Sequence, residues 1–352
     1  LLKFMYSFIS LFENGNIFKS EPWRFFGENL FAIPIGIGIK SSCLYSTFIF
    51  GCTDSTAFNY NPLATVDDSS CCSSNVNIPT QLGLDIDGEA ANDNSGYSVS
   101  LSGDGNTVAV GAHHNNGNGF ESGHVRIYNW NGLSWNQMGV DIDGEAAGDF
   151  TGMYVSLSYD ASTVAIGAHG NDGNGTNSGH VRIYNWNGSS WIQMGQDIDG
   201  EAAGDECGHS VSLSNDGNIV AVSAVSNDGN GASSGHVRIY EYNGSSWIQI
   251  GQDIDGEYSG DLSGWSVSIN SDGTIVAISA KHNSWLNSQS SPNGNNGYHA
   301  GHVRVYEWDG IIWNQLGTDI AGQSEFDESG FSVSLSDDGS IVAIGAREND
   351  GN

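Results

Sequence analysis

The chain has 352 residues, enough for more than one hydrophobic core. Its 41 acidic residues against 10 Lys and Arg give a formal charge of −31, which repels nucleic acid and anionic membrane and attracts cations or basic partners. The 49 glycines and 5 prolines suit short strands joined by tight turns and exclude a chain of long helices.

Residues 1–50 carry three apolar runs, Phe4–Phe12, Phe31–Ile39 and Leu44–Phe50. None reaches the ~18–20 apolar residues of a membrane span. Lys3 before the first run has the order of a degenerate leader, but no small-residue cleavage site follows cleanly. Residues 51–73 are rich in Asp and Asn and hold Cys52, Cys71 and Cys72, the pattern of a small cross-linked loop in an oxidising place. Secretion or cell-surface display is therefore expected. Asp54, Asn59, Asn61, Asp67 and Asp68 are candidate metal ligands there.

From residue 76 to 352 the chain repeats itself. Gly-His-Val-Arg-(Ile/Val)-Tyr starts at Gly123, Gly179, Gly235 and Gly301, 56 residues apart until the last interval of 66. The insertion lies between Ala280 and Gly301. Within the second unit, Tyr154–Ser158 alternates as a strand and Asp160-Ala-Ser162 is a turn. Thr163–Ala168 reads as a strand buried on both faces, and Asn171–Gly175 as a loop. His180–Trp186 is a third strand, Asn187-Gly188 a hairpin turn, and Trp191–Met194 a fourth strand before a polar crossover from Asp197 to Gly208. One four-stranded sheet cannot bury both faces, whereas stacked sheets can. The expected fold is an all-β β-propeller of four-stranded antiparallel blades. Four are whole, starting near Tyr97, Met153, His209 and Trp265; half of a fifth starts at Phe331. The first residue, Leu1, and the halt in mid-blade read as the bounds of a fragment.

The strings Gly96-Tyr-Ser-Val-Ser-Leu101…Val108-Ala-Val-Gly-Ala112 and Gly330-Phe-Ser-Val-Ser-Leu335…Val342-Ala-Ile-Gly-Ala346 resemble FG-GAP repeats, the blades of integrin α-chain propellers and their bacterial relatives. The resemblance spans roughly residues 80–352 and implies a propeller. Turns such as Ser214-Asn-Asp-Gly217 lack the calcium cage found in integrin-type blades, offering too few oxygens for a cation that takes 6–8. A second stretch, Gly51–Asp54…Ala57–Pro62…Ala64–Cys71, is loosely similar to thrombospondin type 3 repeats. That likeness implies a disulfide from Cys52 to Cys71 or to Cys72.

Strand direction alternates within a blade, so the loops after strands two and four share one face. Most of the acids fall on that face, and loops on a rigid scaffold are where binding resides. Two crossovers supply the candidate calcium ligands: Asp141, Asp143, Glu145 and Asp149, then Asp197, Asp199, Glu201 and Asp205. Four carboxylates in nine residues repel, and a hard dication relieves that; the plainer reading is solvated acids that shape turns. The recurrent His124, His180, His236 and His302, and Arg126, Arg182, Arg238 and Arg304, read as structural because every blade has them.

Catalysis needs residues that do not repeat: His113, His114, His169, Cys207, His209, Lys281, His282, Trp285 and His299. Cys207 and His209 lack an orienting third group, and chance explains the pair. Lys281, His282, Trp285, Tyr298 and His299 mark the insertion as a ligand-contact loop. No triad, zinc spacing or nucleotide loop stands out. The expectation is an extracellular binding or adhesion module, not an enzyme, showing its acidic long-loop face to a protein or glycan partner with calcium as its cofactor. The alternatives are a propeller glycan hydrolase or lyase, or a structural repeat region of a larger surface protein.

Overall fold

The computed structural model describes residues 50–53, 55, 61–67, 81–284 and 298–350. The described residues fall in two units, one up to Leu82 and one from Gly83 onward. In the smaller unit, Phe50–Gly51 pairs in parallel with Val66–Asp67. Cys52 is buried there, and the Asn61 carboxamide accepts the Leu63 amide. Asp54, Asn59, Asp68, Cys71 and Cys72 lie outside the described residues.

The larger unit is an all-β propeller, with no helix among the described residues. Blade I holds Ser98–Leu101, Thr107–Ala112, His124–Trp130 and Trp135–Gln137. Blade II holds Tyr154–Leu157, Thr163–Ala168, His180–Trp186 and Trp191–Gln193. Blade III holds Cys207–Leu213, Ile219–Ala224, His236–Tyr242 and Trp247–Gln249. Blade IV holds Ser263–Ile269, Ile275–Ala280, His302–Trp308 and Trp313–Gln315. Ser329–Leu335 and Val342–Ala346 are the described strands of blade V.

One feature differs from the four-strand expectation. Each complete blade gains a two-residue fifth strand from its crossover, such as Ile142–Asp143 paired with the start of strand three. The apolar Ile142 is drawn in because its side chain is buried while the acids around it stay nearer water.

Strand one of each blade lies against strand one of the next and lines the axis. The Val-Ser-(Leu/Ile) motif makes this seam. Val155 and Leu157 pack on Ala109, Val125 and Ile127 of blade I and are 8% and 7% exposed. Their counterparts Val99 and Leu101 have no blade before them among the described residues and are 62% and 59% exposed. The same string is thus covered only when a neighbour is supplied, which stabilises by about 1.5–3 kcal/mol per side chain. The interleaved serines complete the seam: Val155 N–H donates to Ser98 Oγ at 3.0 Å and Leu157 N–H to Ser100 Oγ at 2.9 Å. The same bond recurs from Val267 to Ser210 and from Val333 to Ser266. Trp191, Trp247 and Trp313 each donate their indole N–H to a main-chain carbonyl of the preceding blade.

On the far face, the turns between strands one and two join in series. Gly103 N–H donates to Tyr159 O, Tyr159 N–H to Asn215 O, Asn215 N–H to Ser271 O, and Ser271 N–H to Asp337 O, all at 2.8–3.0 Å. An Asp two residues into each turn shapes it; Asp160 accepts the Ser162 amide and the Ser158 hydroxyl.

Candidate functional site

Two groups of functional side chains stand on the long-loop face. The first sits at the blade seams. His180 and Arg182 are two apart on strand three and so share a side of the sheet. The Arg182 guanidinium donates to the carbonyl of Asp143 in the preceding crossover at 2.9 Å and pairs with Glu145 at 3.2 Å. His180 Nδ1 stands 3.6 Å from Asp197 of its own crossover. The arrangement repeats at Arg126, Arg238 and Arg304 and at His124, His236 and His302. Burial, with the adjacent Arg adding to it, lowers the His180 and His236 pKa, so these imidazoles are neutral at pH 7.

Four groups of metal-ligand composition result: Glu89, His124 and Asp141; Glu145, His180 and Asp197; Glu201, His236 and Asp253; Glu257, His302 and Asp319. Within each, the donor atoms lie within 4.8 Å of one another. Imidazole plus two carboxylates can hold a divalent cation. The guanidinium already beside the Glu supplies positive charge and competes with an ion for it.

The acids within a crossover do not converge as one cage. Asp141 turns to Gln137 and His124, whereas Glu145 reaches Arg182 of the next blade. Burial raises the Asp143 and Asp199 carboxyls, with Asp141 and Asp197 adding to the effect. Asp149 is buried and accepts the Glu145 and Ala146 amides and the Asn171 side chain. Asp205 does the same with Glu201, Ala202 and Asn227. These two carboxylates are turn pins.

The second group sits at the axial mouth, where strand one begins and strand two ends. Its slots vary between otherwise matching blades. One slot holds Tyr97, Met153, His209, Trp265 and Phe331; another holds His113, His169, Val225, Lys281 and Arg347. A third holds Asn94, Phe150, Glu206, Leu262 and Glu328, each with a left-handed backbone, φ 54°, 55°, 56°, 54° and 49°. Rings run in a row across the blades. Tyr97 meets His113 at 4.4 Å, His113 meets His114 at 4.2 Å, and Phe150 stacks on His169 at 5.3 Å between centroids. Tyr154 and Trp265 flank His209 at 4.9 and 4.5 Å. His282 and Tyr298 both stack on His299.

Burial lowers the pKa of His113 to about 4, of His169 to about 4 and of His209 to about 3. Each of the three keeps a buried Nδ1 with no hydrogen-bond partner. His282 is also lowered to about 4 by burial, then by His299.

Of the insertion residues singled out in the sequence, Lys281 lies over Trp265 of this row, while His282, Tyr298 and His299 form a separate stack beside Glu328; Trp285 lies outside the described residues. Cys207 is a fully buried free thiol pushed up to about 12 by burial, inert as a nucleophile. Sequence reasoning passed over Phe150, Glu206, Glu328 and Arg347. Their signal was variation at fixed slots of a strict repeat.

Residues 86–128 match the FG-GAP repeat family. No curated protein matches the chain. Among solved structures, the chain is similar to a periplasmic gluconolactonase of Pseudomonas aeruginosa, at 17% identity and a TM-score of 0.47. The match covers 70% of this chain and 64% of that one. The expectation that the chain is not an enzyme is corrected here. The matched structure is an enzyme by its title, and a propeller fold by itself does not separate binders from catalysts. The thrombospondin-like resemblance of residues 51–73 finds no counterpart in these comparisons.

Proposed function

We propose that the axial mouth binds a glycan and that the protein cleaves it as a hydrolase or lyase. One observation carries the reading: side chains that change from blade to blade at fixed slots converge there, including three imidazoles that are neutral at pH 7 with Nδ1 unpartnered. Aromatic faces suit the C–H faces of sugars, and an unpartnered imidazole nitrogen can accept a hydrogen bond from a sugar hydroxyl or an attacking water and orient it. The side chains that repeat in every blade have seam duties instead. The supporting acidic crossovers form the rim, and display outside the cell fits a glycan substrate.

The test is incubation of the full chain with a panel of oligosaccharides, products followed by mass spectrometry. Ultraviolet absorbance of an unsaturated product separates elimination from hydrolysis. His209→Ala is expected to lower turnover by about 10²-fold or more. Binding without cleavage would leave a lectin-like module, and no binding at all would refute the reading.

A further inference from the structure

Six Lys and Arg residues lie among the described residues. Four are the seam arginines. The other two, Lys281 and Arg347, occupy the same slot in neighbouring blades at the axial mouth. Both stand over Phe331, with Lys281 Nζ 5.7 Å and Arg347 Cζ 4.5 Å from the ring centroid. Lys281 is 7% exposed, and its ammonium sits 2.9 Å from the centre of the Trp265 ring. No carboxylate among the described residues lies within ion-pair distance of it. Glu328 pairs instead with Arg347 at 3.3 Å and faces His282 at 3.9 Å, while Glu348 takes the Arg347 Nε–H at 2.9 Å and leaves Lys281 the unpaired cation of the two.

A buried cation without a carboxylate is costly, and two cations in adjacent slots repel. A chain of −31 has ample acids to place there, yet the carboxylate whose charge reaches Lys281, that of Glu328, is already engaged by Arg347. We propose that Lys281 and Arg347 form a carboxylate subsite, which makes the substrate class a glycan with a terminal uronic acid. This deepens the glycan reading and rests on it. The two cations hold the sugar's carboxylate, and the ring faces of Trp265 and Phe331 hold the cations in place. The negative charge of the whole chain disfavours long polyanions and favours a single local carboxylate.

The probes are a trisaccharide ending in glucuronate and the same trisaccharide ending in glucose, titrated calorimetrically into the full chain. The wild type is expected to bind the uronate form at least about tenfold tighter, as a charge-assisted contact implies. Lys281→Met should bring that ratio close to one, and Lys281→Arg should restore it. Should Lys281→Met fail to fold by circular dichroism, Arg347→Gln, at an exposed position, carries the comparison.

Equal affinity for the two sugars overturns the subsite and leaves the glycan reading standing. If neither sugar binds, acetate is titrated into the protein after reductive ¹³C-methylation of its lysines. A shift of the Lys281 methyl resonance, assigned by its loss in Lys281→Arg, then upholds an anion subsite while the glycan reading falls. No shift removes both.

Discussion

His209 sits between Tyr154 and Trp265 with its pKa near 3, whereas an unfolded chain protonates the same imidazole near its ordinary 6.5. Below pH ~6.5 the unfolded state therefore binds the extra proton, and stability falls as pH falls, by about 1.4 kcal/mol per unit for each such group until the folded pKa is reached. His113 and His169 act in the same direction down to about 4. The raised carboxyls of Asp143, Asp199 and Asp255 work the other way, because the folded state takes up their protons first. The His209 contribution can be isolated by comparing wild type with His209→Phe, which keeps the ring. Melting temperatures between pH 7 and 5 should drop more steeply in the wild type; parallel curves would refute the assignment. A second residue-scale outcome concerns Ala161, at φ 60° where the matching turns have Gly105, Gly217, Gly273 and Gly339. A Cβ in that left-handed region costs about 1 kcal/mol, so Ala161→Gly should stabilise by roughly that amount in denaturant titration.

Among the elements, strand three and the crossover before it act as clasp and catch. Arg238 reaches back to Asp199 O and to Glu201, joining blade III to the crossover of blade II. Arg238→Met removes the donor from a part-buried carbonyl and should cost about 1–3 kcal/mol. Glu201→Gln touches only the half-exposed partner and should cost under about 1 kcal/mol. Equal losses in chemical denaturation would mean that the ion pair, not the main-chain bond, closes the seam. The strands were readable in the sequence because Val-Ser-Leu and Thr-Val-Ala-Ile-Gly-Ala carry their period locally. The fifth strand was not, since Ile142–Asp143 is two residues inside an Asp- and Gly-rich run and forms only once strand three is there to receive it. The site was half legible. His113, His169, His209 and Lys281 stood out as breaks in a strict repeat, but their meeting at one mouth depends on the stacking of whole blades. Phe150 and Arg347 carried the same sign, variation at a fixed slot, but it has meaning only once the blades are aligned in space.

For the whole molecule, cohesion comes from seams that each repeat one recipe: apolar side chains from strand one, serines between them, a Trp indole on the neighbour's carbonyl and an Arg clasp. Among the described residues each His–carboxylate group has its own guanidinium beside the Glu, which offsets its negative charge. Chelator treatment of the full chain is therefore expected to leave the melting temperature unchanged in differential scanning calorimetry; a fall would assign a structural metal to those groups.

The turn-to-turn bonds on the far face run through peptide N–H and C=O groups, with the Ser271 hydroxyl adding one more bond to Asp337 O. The five linked positions, Gly103, Tyr159, Asn215, Ser271 and Asp337, accordingly differ in size, polarity and charge without loosening the joint. Gly103 is fixed, since any side chain there would collide with the Tyr159 ring; the rest of that surface is a palette whose decoration can be rewritten for solubility or for a new contact while the blades keep an unchanged frame.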